Sequence, residues 1–248
     1  MDVSDEEKAK GKTVEVGRAQ FDTPLKKYTI FDAPGHKNYV PNMIMGAALA
    51  DVAGLVISAR KGEFEAGFEK DGQTREHAQL AKSLGVQRLI VIVNKMDDCN
   101  WKKERYNEIH KGLVPFLEAT GYSEKDLVFV PIAGLQGHNI AEPVPSNICN
   151  WYKGKTLMQI LDEVTLEKRD PVGGLRIPII DKMKDSGLIA HGKVENGTVR
   201  LGDKLAIMPG GNPAQVLQLA DGKGRQVEYA APGENVQIKL NVADDEQV

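Results

Sequence analysis

Helical periodicity stops at Asp170-Pro171-Val172-Gly173-Gly174, and that change of rhythm constrains the fold more than any other feature of the chain. Before it, apolar strand-like runs alternate with helical patterns. The runs are Tyr28–Phe31, Val52–Ser58, Leu89–Val93 and Leu127–Ile132; the helical patterns are Asn42–Ala50, Thr74–Leu84, Trp101–Thr120 and Thr156–Glu163. Gly85 and Gly121 stand where helix-closing C′ residues belong. Strand followed by helix in this order predicts an α/β unit over residues 1–170, with an open, mostly parallel sheet covered by helices on both faces. Ligands of such sheets sit at the carboxyl ends of the strands. Upstream, residues 1–12 lack periodicity and are expected to form a flexible arm. Val14, Val16, Ala19 and Phe21 then alternate, and a break at Thr23-Pro24 predicts that this run pairs antiparallel with Tyr28–Phe31.

After the linker the pattern shortens to Arg176–Asp181, Gly187–Val194, Lys204–Met208, Ala214–Leu219 and Asn235–Leu240. The turns between these runs carry Asn196-Gly197, Gly202-Asp203, Pro209-Gly210-Gly211 and Pro232-Gly233. Many short strands joined by such turns predict a small antiparallel β-barrel over residues 171–248.

Composition narrows the function classes. The 248 residues carry a net charge of −3, with 41% hydrophobic side chains and a pI of about 6.0. That balance argues against a free-standing nucleic-acid binder, so no DNA partner is expected, while contact with RNA inside a larger assembly stays open. No run approaches the roughly 18 apolar residues of a membrane span, so no membrane partner is expected. Asp2-Val3-Ser4-Asp5-Glu6-Glu7 is too acidic for a secretion or transit signal, which points to the cytoplasm. The two cysteines, Cys99 and Cys149, suit a reducing compartment, and without nearby histidines their spacing is poor for zinc.

Two strand ends carry chemistry. Asn94-Lys95-Met96-Asp97 follows the run Arg88–Val93. A carboxylate at Asp97 accepts two hydrogen bonds from the N1–H and the exocyclic amine of guanine, a pair that adenine lacks. Asn94 would hold the loop and base edge, and the Lys95 stem would pack over the purine. A site built on such groups rejects analogues without the donors by about 10⁴-fold. The plainer alternative is a helix-start cluster in which Asp97 and Asp98 cap Trp101–Thr120.

Asp32-Ala33-Pro34-Gly35-His36 follows Tyr28–Phe31. Asp32 suits a magnesium held through water, and Gly35 lets a backbone N–H approach a terminal phosphate closely. His36 stands where it can orient or polarise an attacking water. Thr13, just ahead of the preceding strand, suits a switch hydroxyl that ligates magnesium. His77, His110, His138 and His191 have no such context and are read as surface or core residues.

A phosphate loop requires Gly-x-x-x-x-Gly-Lys-Ser/Thr between a strand and a helix. Gly11-Lys12-Thr13 and Gly154-Lys155-Thr156 imitate its end, but the upstream glycine is Glu6 in one case and Cys149 in the other.

Together these residues resemble the translational GTPases of the elongation factor Tu and one-alpha superfamily. The resemblance rests on Asp32–His36, Pro41-Asn42-Met43-Ile44, Gly62-Glu63-Phe64-Glu65, Gly72-Gln73-Thr74-Arg75-Glu76-His77 and Asn94–Asp97. Gly11–Ala19 and Val40–Met43 are most similar to the GTPase subunit of eukaryotic peptide chain release factors. A one-alpha-like elongation factor and a ribosome-rescue GTPase are the nearby alternatives.

The resemblance implies a P-loop-NTPase-like GTPase domain followed by a β-barrel domain, with GTP or GDP and Mg²⁺ as cofactors. It implies the ribosome and a class I release factor, or a similar tRNA-shaped protein, as partners. Thr13, Asp32, Gly35, His36, Asn94, Lys95 and Asp97 take their family roles from the matching motifs. Ala133-Gly134-Leu135 matches the last guanine loop, with Ala133 in place of a loop-bracing serine and a base contact left to the amide of Gly134 or Leu135. It further implies that the family's first strand, phosphate loop and first helix would precede residue 1, and a second barrel would follow residue 248. Without that first strand, the strands ending at Phe31 and Ser58 are expected either to expose their edges or to pair with each other.

Two function classes follow. One is a translational GTPase whose parent hydrolyses GTP on the ribosome during termination. The other is a non-enzymatic interaction module that binds no nucleotide. A phosphate loop supplies several charge-assisted hydrogen bonds of roughly 1.5–3 kcal/mol each. Losing three weakens binding by about 10³-fold or more, so these 248 residues alone are expected to bind GTP no tighter than about millimolar.

Overall fold

A computed structural model describes residues 17–32, 44, 50–69, 72–165, 169–184, 188–222 and 224–242. Thr13, Gly35, His36, the arm at residues 1–12 and most of the expected helix Asn42–Ala50 lie outside the described residues. The chain divides into two compact units, Met1–Thr165 and Leu166–Val248; the sequence expectation drew that line at residue 170.

The core of the first unit is a parallel sheet of β3 (Val52–Ser58), β4 (Arg88–Asn94) and β5 (Leu127–Pro131), in that order. The uninterrupted run Leu89-Ile90-Val91-Ile92-Val93 is what a parallel strand needs when both its faces are covered. Alternate residues serve opposite faces. Leu55, Ile57, Leu89, Val91 and Val93 enter one core, with Phe64 of α1 (Glu63–Phe68), Ala78 of α2 (Gln73–Ser83), and Ile109, Leu113 and Leu117 of α3 (Lys103–Ala119). Ile90 and Val130 face the other way and meet Ile160 of α4 (Leu157–Glu163). Val56 belongs to that second face yet is 61% exposed, because α4 covers the β4–β5 side.

Local signals set the helix ends. α2 and α3 both close in Schellman turns. Gly85 has φ +90° and Gly121 φ +102°. Val86 N–H donates to Ala81 O at 3.0 Å and Tyr122 N–H to Leu117 O at 3.1 Å, each burying the residue after the glycine. The Gly154-Lys155-Thr156 imitation of a phosphate loop is a helix cap. Gln159 N–H donates to Thr156 Oγ1 (3.3 Å) while Thr156 N–H donates to Gln159 Oε1 (3.0 Å), a capping box that starts α4. Lys155 pairs with Glu163 instead of facing a ligand.

β1 (Gly17–Asp22) and β2 (Lys27–Asp32) form an antiparallel hairpin with Phe21 opposite Tyr28, their rings stacked at 4.8 Å. The hairpin turn is tied to the end of α4. Thr23 Oγ1 donates to Asp162 Oδ1 (2.6 Å), and Lys26 Nζ donates to Leu161 O (3.2 Å) and Val164 O (2.6 Å). A lysine here satisfies carbonyls left over at a helix C-terminus. Of the two outcomes expected for the strands ending at Phe31 and Ser58, the described residues show no pairing: the hairpin is its own two-stranded sheet, and β3 is an edge of the parallel one.

The second unit is antiparallel. β6 (Ile179–Lys184), β7 (Leu188–Lys193), β12 (Asn235–Val242), β10 (Asn212–Asp221) and β9 (Lys204–Ile207) form one sheet in that order, and β8 (Val199–Arg200) pairs with β11 (Tyr229–Ala230). Val199 and Ala230 share one core with Ala190, Val216, Leu219, Val236 and Ile238, so the two sheets enclose a common interior. The first strand begins at Ile179 instead of Arg176. Arg176 makes an isolated bridge with Asn196, and a register shift between Ile179 and Asp181 re-aims the strand. The two-residue strands β8 and β11 are too short to leave a periodic signal.

Candidate functional site

The carboxyl ends of β3, β4 and β5 converge on Asn94. Ala59 N–H, just past β3, donates to Asn94 O at 2.7 Å. Past β5, Ile132 N–H donates to Val93 O (2.8 Å), and Ile132 O accepts from Met96 N–H (3.1 Å). The side chain completes the junction: Asn94 Oδ1 accepts from Lys95 N–H at 2.7 Å and from Gly134 N–H at 2.9 Å. One amide oxygen thus braces its own loop and the loop after β5. A Cβ at Gly134 would sit 3.2 Å from that oxygen, so the approach favours glycine.

Lys95 has φ +59° and ψ +37°, a left-handed conformation uncommon for a side-chain-bearing residue. It turns the chain sharply into the short 3₁₀ segment Met96–Cys99, with Met96 fully buried beneath it. Asn100 and Trp101 are left-handed too, at φ +49° and +51°. The helix expected from Trp101 therefore begins at Lys103, and its N-cap residue Lys102 makes no side-chain cap. Asp97 and Asp98 cap nothing: Asp98 binds Arg60, with Nη2 to Oδ2 at 2.8 Å, and Asp97 Oδ2 accepts from Gln136 Nε2 at 2.8 Å.

Ala133, which stands where the family places serine, is fully buried. It exchanges two 3.2 Å backbone hydrogen bonds with His138, N–H to O in each direction. Together with the bond from Gly134 N–H to Asn94, this pair does the bracing that a serine hydroxyl would otherwise share. Leu135 at the loop tip is 95% exposed.

An ionic network frames the loop. Lys95 Nζ lies 2.7 Å from Glu63 Oε2, and Arg60 Nη1 lies 2.8 Å from Glu63 Oε1. The Lys95 ammonium, with Ser58 and Arg60, pulls the Glu63 carboxyl down to about 2. Beneath this surface, the buried Arg105 guanidinium donates to Ala59 O (2.8 Å) and Arg60 O (3.2 Å) and pairs with Glu65 and Glu108. Its hydrogen bond to Glu65 is the main cause that lowers that carboxyl to about 2. Arg60, Glu63, Arg105 and Gln136 carried no assigned role in the sequence. Gly62–Glu65 was noticeable only as part of a resemblance, and nothing in chain spacing links Gln136 to Asp97.

The structure therefore brings together Asn94, Lys95, Asp97, Ala133, Gly134 and Leu135 in two adjoining loops. Asp32 ends β2 opposite Gly17. His138 is half-buried near Trp101, and His110 packs on Phe129 at 4.3 Å, both within the fold's aromatic packing. The two cysteines are free. Among the described residues no cluster of three or more His, Cys, Asp or Glu side chains is arranged to hold a metal. No described helix is long and apolar enough to cross a membrane.

Residues 1–167 match the family described as the elongation factor Tu GTP binding domain. The chain is 46% identical over 250 residues to a eukaryotic peptide chain release factor GTP-binding subunit of Candida maltosa, covering all of this chain and 35% of that protein. It is 50% identical over 244 residues to the subunit of the same name from Dictyostelium discoideum, covering 97% of this chain and 43% of that one. The chain thus spans less than half the length of these relatives. Among solved structures, sup35 complexed with GMPPNP aligns with a TM-score of 0.53 at 37% identity, over 93% of this chain and 55% of that one. A bacterial selenocysteine-specific elongation factor aligns with a TM-score of 0.68 at 27% identity, over all of this chain and 39% of that one.

Proposed function

We propose, since this chain belongs to the elongation factor Tu GTP-binding domain family of translation factors, that its loops after β4 and β5 form the guanine-reading half of a GTP site, in a protein that acts in translation termination. The observation that carries the reading is the double acceptance at Asn94 Oδ1, which locks the Asp97 loop against the loop after β5. Such a brace holds a base-reading carboxylate in one place before the base arrives, and preorganisation of this kind reduces the cost of binding.

In this reading Asp97 accepts the guanine N1–H and exocyclic amine. The Lys95 stem lies over the purine, its ammonium held aside by Glu63. Gly134 N–H is already given to Asn94, so the contact to the guanine carbonyl falls to the Leu135 amide. Thr13, Asp32, Gly35 and His36 carry the phosphate and magnesium end by resemblance, with His36 orienting the attacking water. Hydroxyl and carboxylate oxygens are the donor type that magnesium takes, and this ion keeps several waters. Asp32 is the one residue of that set among the described residues. The release-factor relatives support the ribosome and a class I release factor as partners.

The 248 residues contain no phosphate-loop motif, so base contacts dominate affinity and GTP binding by the isolated chain is millimolar or weaker. Asp97→Asn tests the base reader. The variant should exchange its preference for guanine nucleotides for one favouring xanthine nucleotides, measured by competitive calorimetric titration. An unchanged preference for guanine refutes the assignment. Micromolar binding of a non-hydrolysable GTP analogue by the parent chain refutes the weak-binding reading.

A further inference from the structure

We infer that Gln136 is an internal stand-in for guanine that occupies the reading carboxylate and must be displaced by the base. This rests on Asp97 being the base reader. Gln136 Nε2 lies 2.8 Å from Asp97 Oδ2. A primary amide N–H aimed at a carboxylate oxygen is the same donor chemistry that the exocyclic amine of guanine offers. Guanine needs both carboxylate oxygens side by side, one for N1–H and one for the amine, and a glutamine on Oδ2 stands in the way of that paired arrangement.

The loop is built for displacement. Gln136 is exposed, and so are its neighbours Leu135, at 95%, and Gly137. Gly137 has φ +76° with open space around its Cβ position, so no backbone crowds the turn beside the glutamine. Asn94 holds Gly134 and the Ala133–His138 pair closes the base of the loop, so displacement is a rearrangement of the glutamine side chain at the tip. Adenine presents no N1–H with which to compete for the carboxylate, so only a guanine edge exchanges with the glutamine, and the side chain lowers guanine affinity without acting on adenine.

A side chain that closes the site most of the time lowers apparent affinity by the fraction of open molecules. For an exposed hydrogen bond to a charged acceptor, that fraction corresponds to a factor of about three to ten. The test uses the whole chain and GDP as the probe. The Gln136 side-chain amide resonance is identified in a ¹H–¹⁵N correlation spectrum by its loss in Gln136→Ala. GDP should move that resonance in the parent chain and ADP should not, while Gln136→Ala should bind GDP about three- to tenfold more tightly. Equal or weaker binding by Gln136→Ala, in a protein whose Asp97→Asn variant has lost its guanine preference, overturns the stand-in and leaves the base reader standing. Undiminished guanine preference in Asp97→Asn overturns both.

Discussion

Replacing Asn94 with alanine isolates the brace between the loops that follow β4 and β5. The substitution removes one oxygen and with it two main-chain hydrogen bonds, from Lys95 N–H at 2.7 Å and Gly134 N–H at 2.9 Å. Each such bond contributes about 0.5–1.5 kcal/mol net. The Lys95 amide is partly buried and loses its partner outright, whereas the exposed Gly134 amide regains a water. Lys95 also holds a left-handed backbone that its side chain does not favour. The expected loss is therefore about 1–2 kcal/mol, which in a unit of this size lowers Tm by about 3–6 °C. Both tryptophans, Trp101 and Trp151, lie in the first unit, so tryptophan fluorescence during urea unfolding follows that unit without signal from the second. Asn94→Asp keeps an acceptor oxygen in the same place and should recover most of the loss. Hydrogen exchange at Gly134 should be slow in the parent and in Asn94→Asp, and fast in Asn94→Ala. An alanine variant within about 0.5 kcal/mol of the parent, the range of neutral surface changes, would refute the brace. So would equal exchange rates in the alanine and aspartate variants.

Arg105→Met strips a buried guanidinium from Ala59 O and Arg60 O and from its two glutamate partners. Urea midpoints should report a loss of about 2–4 kcal/mol, and a loss below 1 kcal/mol would show that water replaces the clamp. Glu63 and Glu65 are both depressed from 4.5 to about 2 by their cationic partners. A lowered folded-state pKa gives stability that is present in full above the unfolded value and lost as pH falls towards the folded one. The first unit should thus weaken as pH drops from 4.5 to about 2. Glu65→Gln should flatten that acid limb in fluorescence-monitored unfolding, and a limb of unchanged slope would remove Glu65 from the account.

Much of the first unit was legible because its signals are local. The short β-branched run Leu89–Val93, bounded by polar residues, reads as a strand covered on both faces, and Gly85 and Gly121 close helices through φ values that other residues avoid. Cys149 in place of the required upstream glycine ruled out Gly154-Lys155-Thr156 as a phosphate loop, and the structure shows its threonine in a capping box with Gln159. The start of α3 was not legible, since the left-handed turns at Asn100 and Trp101 answer to the fit of the Met96 loop over the core. In the second unit the runs of apolar residues were visible, but Ile179–Lys184 took its boundaries from pairing with β7, and β8 and β11 exist only because their partners do.

By itself, the sequence determined which side chains stand at the strand ends. Asn94, Lys95 and Asp97 follow an apolar strand, and their hydrogen-bond donors and acceptors belong to residue types. Only the tertiary structure decided what each group touches. It gave Asn94, expected to hold its loop, a second loop to brace, gave Glu63 to Lys95, and set Gln136 on Asp97. Those contacts join residues 32 to 40 positions apart. No periodicity encodes them; they arise because parallel strands bring their carboxyl ends, and the loops that follow, to one edge of the sheet.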